Sequence, residues 1–364
     1  MDITRLRLRN QRIRQGNPLE PESARTPGEL VTRMGAFQAQ DYAGAKWSLG
    51  LRLPGTTEAE IDQAVADRTI VRTWPMRGTL HFVPAADIAW MLELTTPRIL
   101  AGSAARHRDL ELDDRTFDRC RVLFAEALRG GRTRSRADLL QTLEDAGIPT
   151  GSQRGYHLLW RTAQEGLICF APPHGKQPAF ALLDEWIPES QRTVFADRRH
   201  ALGELARRYF TSHGPATLQD FSWWSRLTAA DARTGLEESA LSLESVVFEG
   251  RTFWMPPTTS DTHETHFDDE PDVYLLPGFD EYLLGYKDRS AALDPVYARR
   301  IVPGGNGVFL PTIVSRGQVI GTWKRTVTKR SVSVVPEPFQ PLSEAEEKAL
   351  ALAAERYREY LQEP

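Results

Sequence analysis

The sequence predicts an α+β protein of three tandem winged helix-turn-helix units followed by a β-rich C-terminal region. Three observations predict it. A helix–turn–helix–hairpin order runs between residues 135 and 183, again between 201 and 255, and once more between 26 and 83. One such order alone is weak evidence, because helix-turn-helix patterns occur in many proteins that never touch DNA. Repetition of one supersecondary plan at a mean spacing of roughly 90 residues is much harder to obtain by chance.

The middle copy is the plainest. Ser135 to Gly147 is an N-capped amphipathic helix ended by glycine, with Leu139, Leu140 and Leu143 on one stripe. Ser152 opens a second helix from Gln153 to Gly166, with Leu158, Leu159, Ala163 and Leu167 at core spacing. Two strands follow, 167–170 and 179–183, around Pro172-Pro173-His174-Gly175. In the third copy, Ala201 to His213 is a helix closed by Gly214-Pro215. Thr217 and Thr228 cap two more helices, and residues 245–248 and 252–255 flank Glu249-Gly250 as a hairpin. In the first copy, Thr26-Pro27 starts a helix running to about Gln38, and a short helix follows near residues 45–53. Thr57 caps Glu58 to Asp67, and strands surround Arg77-Gly78. The remaining segments read as strands at 273–276, 307–310, 312–315 and 319–323, with tight turns at 304–307 and Arg316-Gly317. Ser343 caps a terminal helix from Glu344 to Leu361. The expected divisions are 1–115, 116–200 and 201–260 for the three units and 261–364 for the C-terminal region, which holds the basic hairpin.

Composition narrows the class. The chain has 364 residues, 41% hydrophobic and 26% charged, which is ordinary for globular protein. No apolar run approaches a membrane span, and Met1 to Arg5 has no apolar core behind its charges. A cytoplasmic protein without a secretory leader is expected. Two cysteines, Cys120 and Cys169, exclude a disulfide framework and any Cys-rich metal centre, and two free thiols are the expectation. The net charge of −4 argues against a general DNA-coating protein but leaves a local basic surface open. Arg5, Arg7, Arg9, Arg12 and Arg14 open the chain against Asp2 alone. Seven basic residues and no acid lie from Arg299 to Arg330, and Asp261 to Glu281 is acidic throughout. Solvated faces of both signs account for these patches as well as a DNA-facing surface does.

Most catalytic signatures are missing. His263 and His266 have metal-compatible spacing but sit in a run that reads as an acidic surface loop, so no metal is expected. The turn at 304–307 precedes a strand instead of opening a helix, so no nucleotide cofactor is expected, and no Gly-x-Ser-x-Gly elbow exists. The unusual feature is Gln38-Ala39-Gln40-Asp41. On a regular helix, residues i and i+2 point roughly 200° apart. Both glutamines face one site only if the helix ends or distorts there, and Gly44 lies close behind. Two solvent-facing polar residues at a helix end is the alternative.

The chain resembles the AlkZ-like family of bacterial DNA glycosylases essentially end to end. The residues carrying the likeness are Gln38-Ala39-Gln40, Thr73 to His81, Asp220 to Trp224, Leu275 to Arg289, and Gly305 to Phe309. The resemblance implies three winged helices in a C-shape with a β-rich C-terminal region. It implies a Gln-apolar-Gln catalytic signature matched by Gln38, Ala39 and Gln40, whereas the sister AlkX (YcaQ) branch carries Gln-apolar-Asp. It also implies self-resistance or repair, including the unhooking of interstrand crosslinks or bulky adducts of a genotoxic natural product.

The chemistry is coherent. A glutamine amide has no useful proton affinity near neutral pH, yet it accepts and donates hydrogen bonds and so holds a water. Losing a true base forfeits roughly 10²–10⁴ in rate. That loss is tolerable when the base is an N7- or N3-alkylated purine, which carries a formal positive charge and leaves as a neutral molecule. The expectation is a monofunctional DNA glycosylase acting on duplex DNA with such lesions, Gln38 and Gln40 catalytic and Asp41 a third candidate. Asn306, Arg316, Lys324, Arg325, Lys329 and Arg330 are candidates for DNA contact. Trp47, Trp74, Arg77 and His81 are candidates to line the lesion site, although aromatic residues at such positions are more often core. Trp223 and Trp224 are assigned to the core. A monomer is expected, since no long heptad pattern is present. The alternative is a winged-helix DNA binder without enzymatic activity, such as a transcriptional regulator. Asp231, Glu237 and Glu238 on its third-unit helix disfavour that reading.

Overall fold

A computed structural model describes residues 1–13, 24–257, 272–328 and 331–361. His263 and His266, Arg14, and the DNA-contact candidates Lys329 and Arg330 lie outside them. The chain is mixed α/β. One element order recurs three times: a helix, a short extended stretch, two helices, then a hairpin. The first run is α2 (Pro27–Met34), β1 (Phe37–Gln38), α3 (Tyr42–Arg52), α4 (Glu58–Ala66), β2 (Ile70–Met76) and β3 (Thr79–Pro84), preceded by α1 (Ile3–Asn10). A long helix, α5 (Ile88–Asp109), leads to the second run: α6 (Asp114–Leu128), β4 (Arg134–Ser135), α7 (Arg136–Asp145), α8 (Arg154–Gln164), β5 (Ile168–His174) and β6 (Gln177–Leu182). After α9 (Leu183–Trp186) comes the third: α10 (Arg198–His213), α11 (Leu218–Ser225), α12 (Ala229–Ser239), β7 (Glu244–Phe248) and β8 (Arg251–Met255). In each run the last strand of the hairpin pairs antiparallel with the short extended stretch. β1 pairs with β3, β4 with β6, and Ala216 bridges Trp254 of β8.

Local chemistry explains the boundaries. Thr26, Thr57, Ser135 and Thr217 each form a capping box, their hydroxyls accepting from the backbone N–H three residues on. Helix α2 was expected to reach Gln38, but it stops at Met34 because Gly35 takes a φ of +80° that ends the helix. The turn between β2 and β3 has Arg77 and Gly78 both at positive φ (54° and 70°), the geometry that suits a two-residue hairpin.

The C-terminal region contains β9 (Val273–Leu276), α13 (Glu281–Leu284), α14 (Ala298–Ile301), β10 (Thr312–Ser315), β11 (Gln318–Val327), β12 (Val332–Pro338) and α15 (Glu344–Leu361). The sheet has order β12-β11-β10-β9. Residues 307–310, expected as a strand, run as irregular backbone. Helices α1, α5 and α6 and strand β12 were not read from the sequence.

Packing ties the two ends of the chain together. Leu49, Trp47 and Phe37 share a buried cluster with Val273, Leu275, Trp323, Tyr357 and Tyr360. The Trp47 indole N–H donates to Leu275 O at 2.7 Å, and the Trp323 N–H to Leu276 O at 2.7 Å. Helix α1 is not a free basic arm. Arg7 is 3% exposed, donates to Pro215 O at 3.0 Å, and stacks 3.6 Å from the Tyr286 ring centroid.

One buried ion pair locks this junction. Arg52 on α3 is fully buried, and its Nη1 and Nη2 meet the two oxygens of Asp280 at 2.9 and 2.8 Å. Asp280 also caps α13 by accepting from the Tyr282 N–H, and Arg52 Nε donates to Gln11 O. Removing one partner strands the other charge away from water. Arg52→Met is therefore expected to cost about 3–5 kcal/mol in denaturant unfolding. Adding Asp280→Asn, which keeps the cap acceptor but removes the charge, should recover part of that loss. An unchanged unfolding midpoint in Arg52→Met would contradict the assignment.

Candidate active site around Gln38 and Gln40

Gln38 sits on a strand, not at a helix end. Its partner across β1–β3 is His81, and the ladder continues when the Ala39 N–H donates to Leu80 O at 2.7 Å. The helix ends at Met34, one of the two conditions the sequence set for both glutamines to face one site, and Gln40 follows the strand in a bend before α3. Gln38 is 8% exposed and Ala39 fully buried, while Gln40 is exposed.

Gln38, Ala39 and Asp41 are each held by hydrogen bonds. The Gln38 backbone N–H donates to Glu281 Oε1 at 2.9 Å. Its side-chain oxygen accepts from Arg77 Nη2 at 2.8 Å, which fixes the amide orientation and leaves one lone pair and the NH₂ available. The Ala39 carbonyl accepts both Nε and Nη2 of Arg72, at 3.1 and 2.8 Å. Asp41 Oδ2 accepts from Arg325 at 2.9 Å, and its carbonyl accepts the Ala45 N–H of α3. By contrast, the Gln40 side chain has no hydrogen-bond partner among the described residues. One fixed, buried amide and one exposed, unpartnered amide thus lie two residues apart in the chain.

Behind Gln38 lies a buried charged layer. Glu281, fully buried on α13, also accepts the Trp224 indole N–H at 2.9 Å and stands 3.4 Å from His213 Nε2. Burial pushes its carboxyl up. The His213 contact and the Arg77 guanidinium outweigh burial and hold it at about 2. Arg77 donates to Trp224 O at 2.6 Å as well as to Gln38, and meets His81 Nε2 at 3.1 Å. His81 is pushed down to about 3, first by burial and then by Arg77, so it stays neutral. His213 is likewise lowered, chiefly by burial. None of these groups offers a base poised near neutrality, and no cluster of three metal-ligating side chains exists among the described residues.

The other sequence candidates divide. Arg77 and His81 join the Gln38 layer. Trp47 and Trp74 are core residues, 3% and 4% exposed. The first packs on Tyr357 and Tyr360, the second on Phe170 and Tyr156, so neither presents a ring to a lesion. Arg325 is spent on Asp41 and Tyr357, and exposed Lys324 is paired with Glu337. Arg316 is exposed at the tip between β10 and β11. Asn306 is exposed, its side-chain oxygen accepting the Val308 N–H. Trp224 is core, but Trp223 is only partly buried. Glu281, Arg72 and His213 were not singled out from sequence. The only available signal was that Glu281 falls within the Leu275–Arg289 stretch.

Comparison with known proteins gives this arrangement its class. Residues 31–360 match the family model described as DNA glycosylase AlkZ-like, and the chain is a DNA glycosylase, a hydrolase of N-glycosyl bonds. It belongs to the AlkZ-like family of those enzymes. It is 26% identical over 338 residues to the interstrand DNA cross-link repair glycosylase of Streptomyces sahachiroi, covering 88% of this chain and 87% of that protein. Its fold is similar to the solved structure of Streptomyces sahachiroi DNA glycosylase AlkZ. The TM-score is 0.76 at 23% identity, over 99% of this chain and 95% of that one. No helix among the described residues is long and apolar enough to cross a membrane.

The buried layer predicts acid sensitivity with a definite sign. Unfolded His81 binds a proton near pH 6.5 whereas the folded residue resists it down to about pH 3, so stability falls as pH drops through that window. Glu281, depressed to about 2, contributes stability that is present above its ordinary value and lost as pH falls through about 2. Melting temperature should decline steadily below about pH 6.5. In His81→Gln the proton uptake on unfolding between pH 6 and 4 should fall by about one. Equal slopes in both proteins would contradict the buried neutral imidazole.

Proposed function

We propose that this chain is a monofunctional glycosylase that hydrolyses the N-glycosidic bond of cationic N7- or N3-alkylated purines in duplex DNA. Gln38 and Gln40 hold the attacking water. The observation that carries this reading is the fixed Gln38 amide, aligned by Arg77 and pinned at its backbone by Glu281, next to the uncommitted amide of Gln40. Neither amide removes a proton, so the site suits a leaving group that already bears its positive charge. As the bond to C1′ lengthens, the base departs neutral and the sugar becomes oxocarbenium-like. Water held by the amide oxygens then adds to C1′ and its proton passes to solvent. Asp41 is engaged by Arg325, which supports a role in holding the segment more than a role as a base.

Further parts of the reading are proposals of the same kind. The three recurring runs act as winged-helix units arranged in a C-shape. The exposed Asn306 turn and Arg316 meet DNA. The family relationship and the printed name of the Streptomyces sahachiroi relative support crosslinks or bulky adducts as substrates, with self-resistance or repair as the purpose. The enzyme works as a monomer, and no cofactor is needed by the chemistry.

The test is release of 7-methylguanine from methylated duplex DNA. Gln38→Ala and Gln40→Ala should each lose about 10²–10³ in single-turnover rate, the scale for removing one positioned polar group. Asp41→Ala should lose about tenfold or less. The wild-type rate should show no general-base inflection between about pH 5.5 and 8.5, because neither amide takes up a proton there. Full activity in both glutamine variants would overturn the mechanism. Tight binding to one duplex sequence without any base release would favour the regulator.

A further inference from the structure

We propose that Arg289, together with Arg226, forms a backbone-phosphate subsite. It grips a phosphodiester next to the nucleotide whose base faces Gln38 and Gln40. The location of the lesion rests on the glycosylase reading, but the subsite itself requires only that DNA binds across this face.

The geometry begins with Trp223, the partly buried indole on α11. The guanidinium carbons of Arg77 and Arg289 lie 5.2 and 4.9 Å from its ring centroid. Two cations are therefore gathered on one aromatic ring, no more than about 10 Å from each other. Arg289 also stands 5.0 Å from the Phe309 ring, at the root of the exposed 303–308 turn. Arg226 follows α11 directly, in the left-handed conformation (φ 62°), and is exposed.

None of these three arginines is ion-paired among the described residues. The carboxylates around them are committed elsewhere. Glu281 takes the Gln38 and Trp224 N–H groups. Asp220 takes Thr217 and the backbone N–H groups of Lys287 and Asp288. Asp288 takes Arg251 and Ser290. Arg77 spends its donors on Trp224 O and Gln38. Arg289 spends only Nε, on Leu283 O at 2.8 Å, so both of its Nη groups remain unpartnered. The like charges are felt. Burial first, and then Arg77, lowers the Arg289 pKa, and Arg226 contributes to lowering that of Arg77.

Glu281 partly offsets the charge of Arg77, and Asp220 and Asp288 that of Arg289, but none of these carboxylates hydrogen-bonds to the Arg289 Nη groups, which are left to take an anion. A planar fork with two free N–H₂ groups matches two phosphate oxygens, and stacking on Trp223 and Phe309 keeps the fork in place beforehand. Since Arg77 touches both Trp223 and Gln38, a phosphate held by Arg289 lies on the same side of the protein as the fixed amide. The subsite sets which nucleotide of the strand stands opposite the glutamines.

The test is binding, without turnover, of a duplex carrying one tetrahydrofuran abasic analogue. Neutral methylphosphonates are placed singly at each phosphate within two nucleotides of it. Wild type should lose about tenfold in affinity at one of these positions. Arg289→Gln should bind the unmodified duplex correspondingly more weakly and show no further loss at that position. Arg226→Ala, an exposed change, should lower the salt slope of log K by about one. Arg289→Lys should recover only part of the affinity, because it restores charge without the fork. The proposal is overturned if no methylphosphonate costs wild type more than about twofold. It is equally overturned if the penalty persists undiminished in Arg289→Gln and Arg226→Ala. A wild-type scan without a sensitive phosphate overturns the proposal by itself, and if Arg289→Gln fails to fold, Arg289→Lys should show a smaller penalty than wild type at the sensitive position, an equal one overturning the assignment. Failure to release 7-methylguanine while the methylphosphonate pattern holds would count against the glycosylase reading and leave the subsite standing.

Discussion

A single carboxylate, Glu281, organises the region around Gln38. It is fully buried, and a buried charge without partners is prohibitively costly, so its surroundings must supply donors. They come from three parts of the chain: the backbone of Gln38, the indole of Trp224 and the imidazole of His213. The Gln38 contact spans 243 residues. Holding Glu281 thus requires the first and third helical runs and the C-terminal region to be in place together. Asp280, the next residue back, is locked by Arg52 on α3, so consecutive acids on one short helix clamp the N-terminal and C-terminal parts of the fold to each other.

On the mechanism we propose, that clamp bears on the chemistry because the amides themselves have little reactivity. A pair of neutral groups contributes through position alone, and position is worth something only if the supporting shell is stiff. Gln38 meets this condition through Arg77 and its backbone bond. Ala39 and Asp41 meet it through Arg72 and Arg325. The neutral histidines are part of the same logic. On the mechanism we propose, a protonated His81 beside Arg77 would add a second cation next to the site at which positive charge builds up on the sugar.

The threefold recurrence shows how the site arises within a repeated plan. In the second run, Ser135 ends the short strand and is at once the N-cap of α7. In the third, Ala216 forms the bridge and Thr217 caps α11. In the first run, Gln38 ends the strand but the helix begins only after Asp41, whose side chain caps nothing. The intervening residues carry Gln40, and arginines from β2 and β11 donate to the Ala39 carbonyl and to Asp41 Oδ2.

The sequence by itself determined the helices with strong caps and regular apolar stripes, such as α4, α7, α11 and α12, and the hairpins marked by Arg77-Gly78 and Glu249-Gly250. These signals are local, so a short window contains their cause. It also marked Gln38 and Gln40 as unusual, through their pattern and the family resemblance. It failed on α5, whose fully buried apolar residues lie only in the first half and which contains Pro97, and on α1, whose arginines left a solvated face and a DNA-facing surface equally open until Tyr286 and Pro215 covered Arg7. Only the tertiary structure decided that Gln38 lies on a strand, since that depends on pairing with His81, 43 positions away. It alone revealed Glu281 as the organising charge, and it decided between core and lesion lining for Trp47 and Trp74 in favour of core. Burial and hydrogen-bond partners are properties of what lies alongside a residue in space, and no reading along the chain contains them.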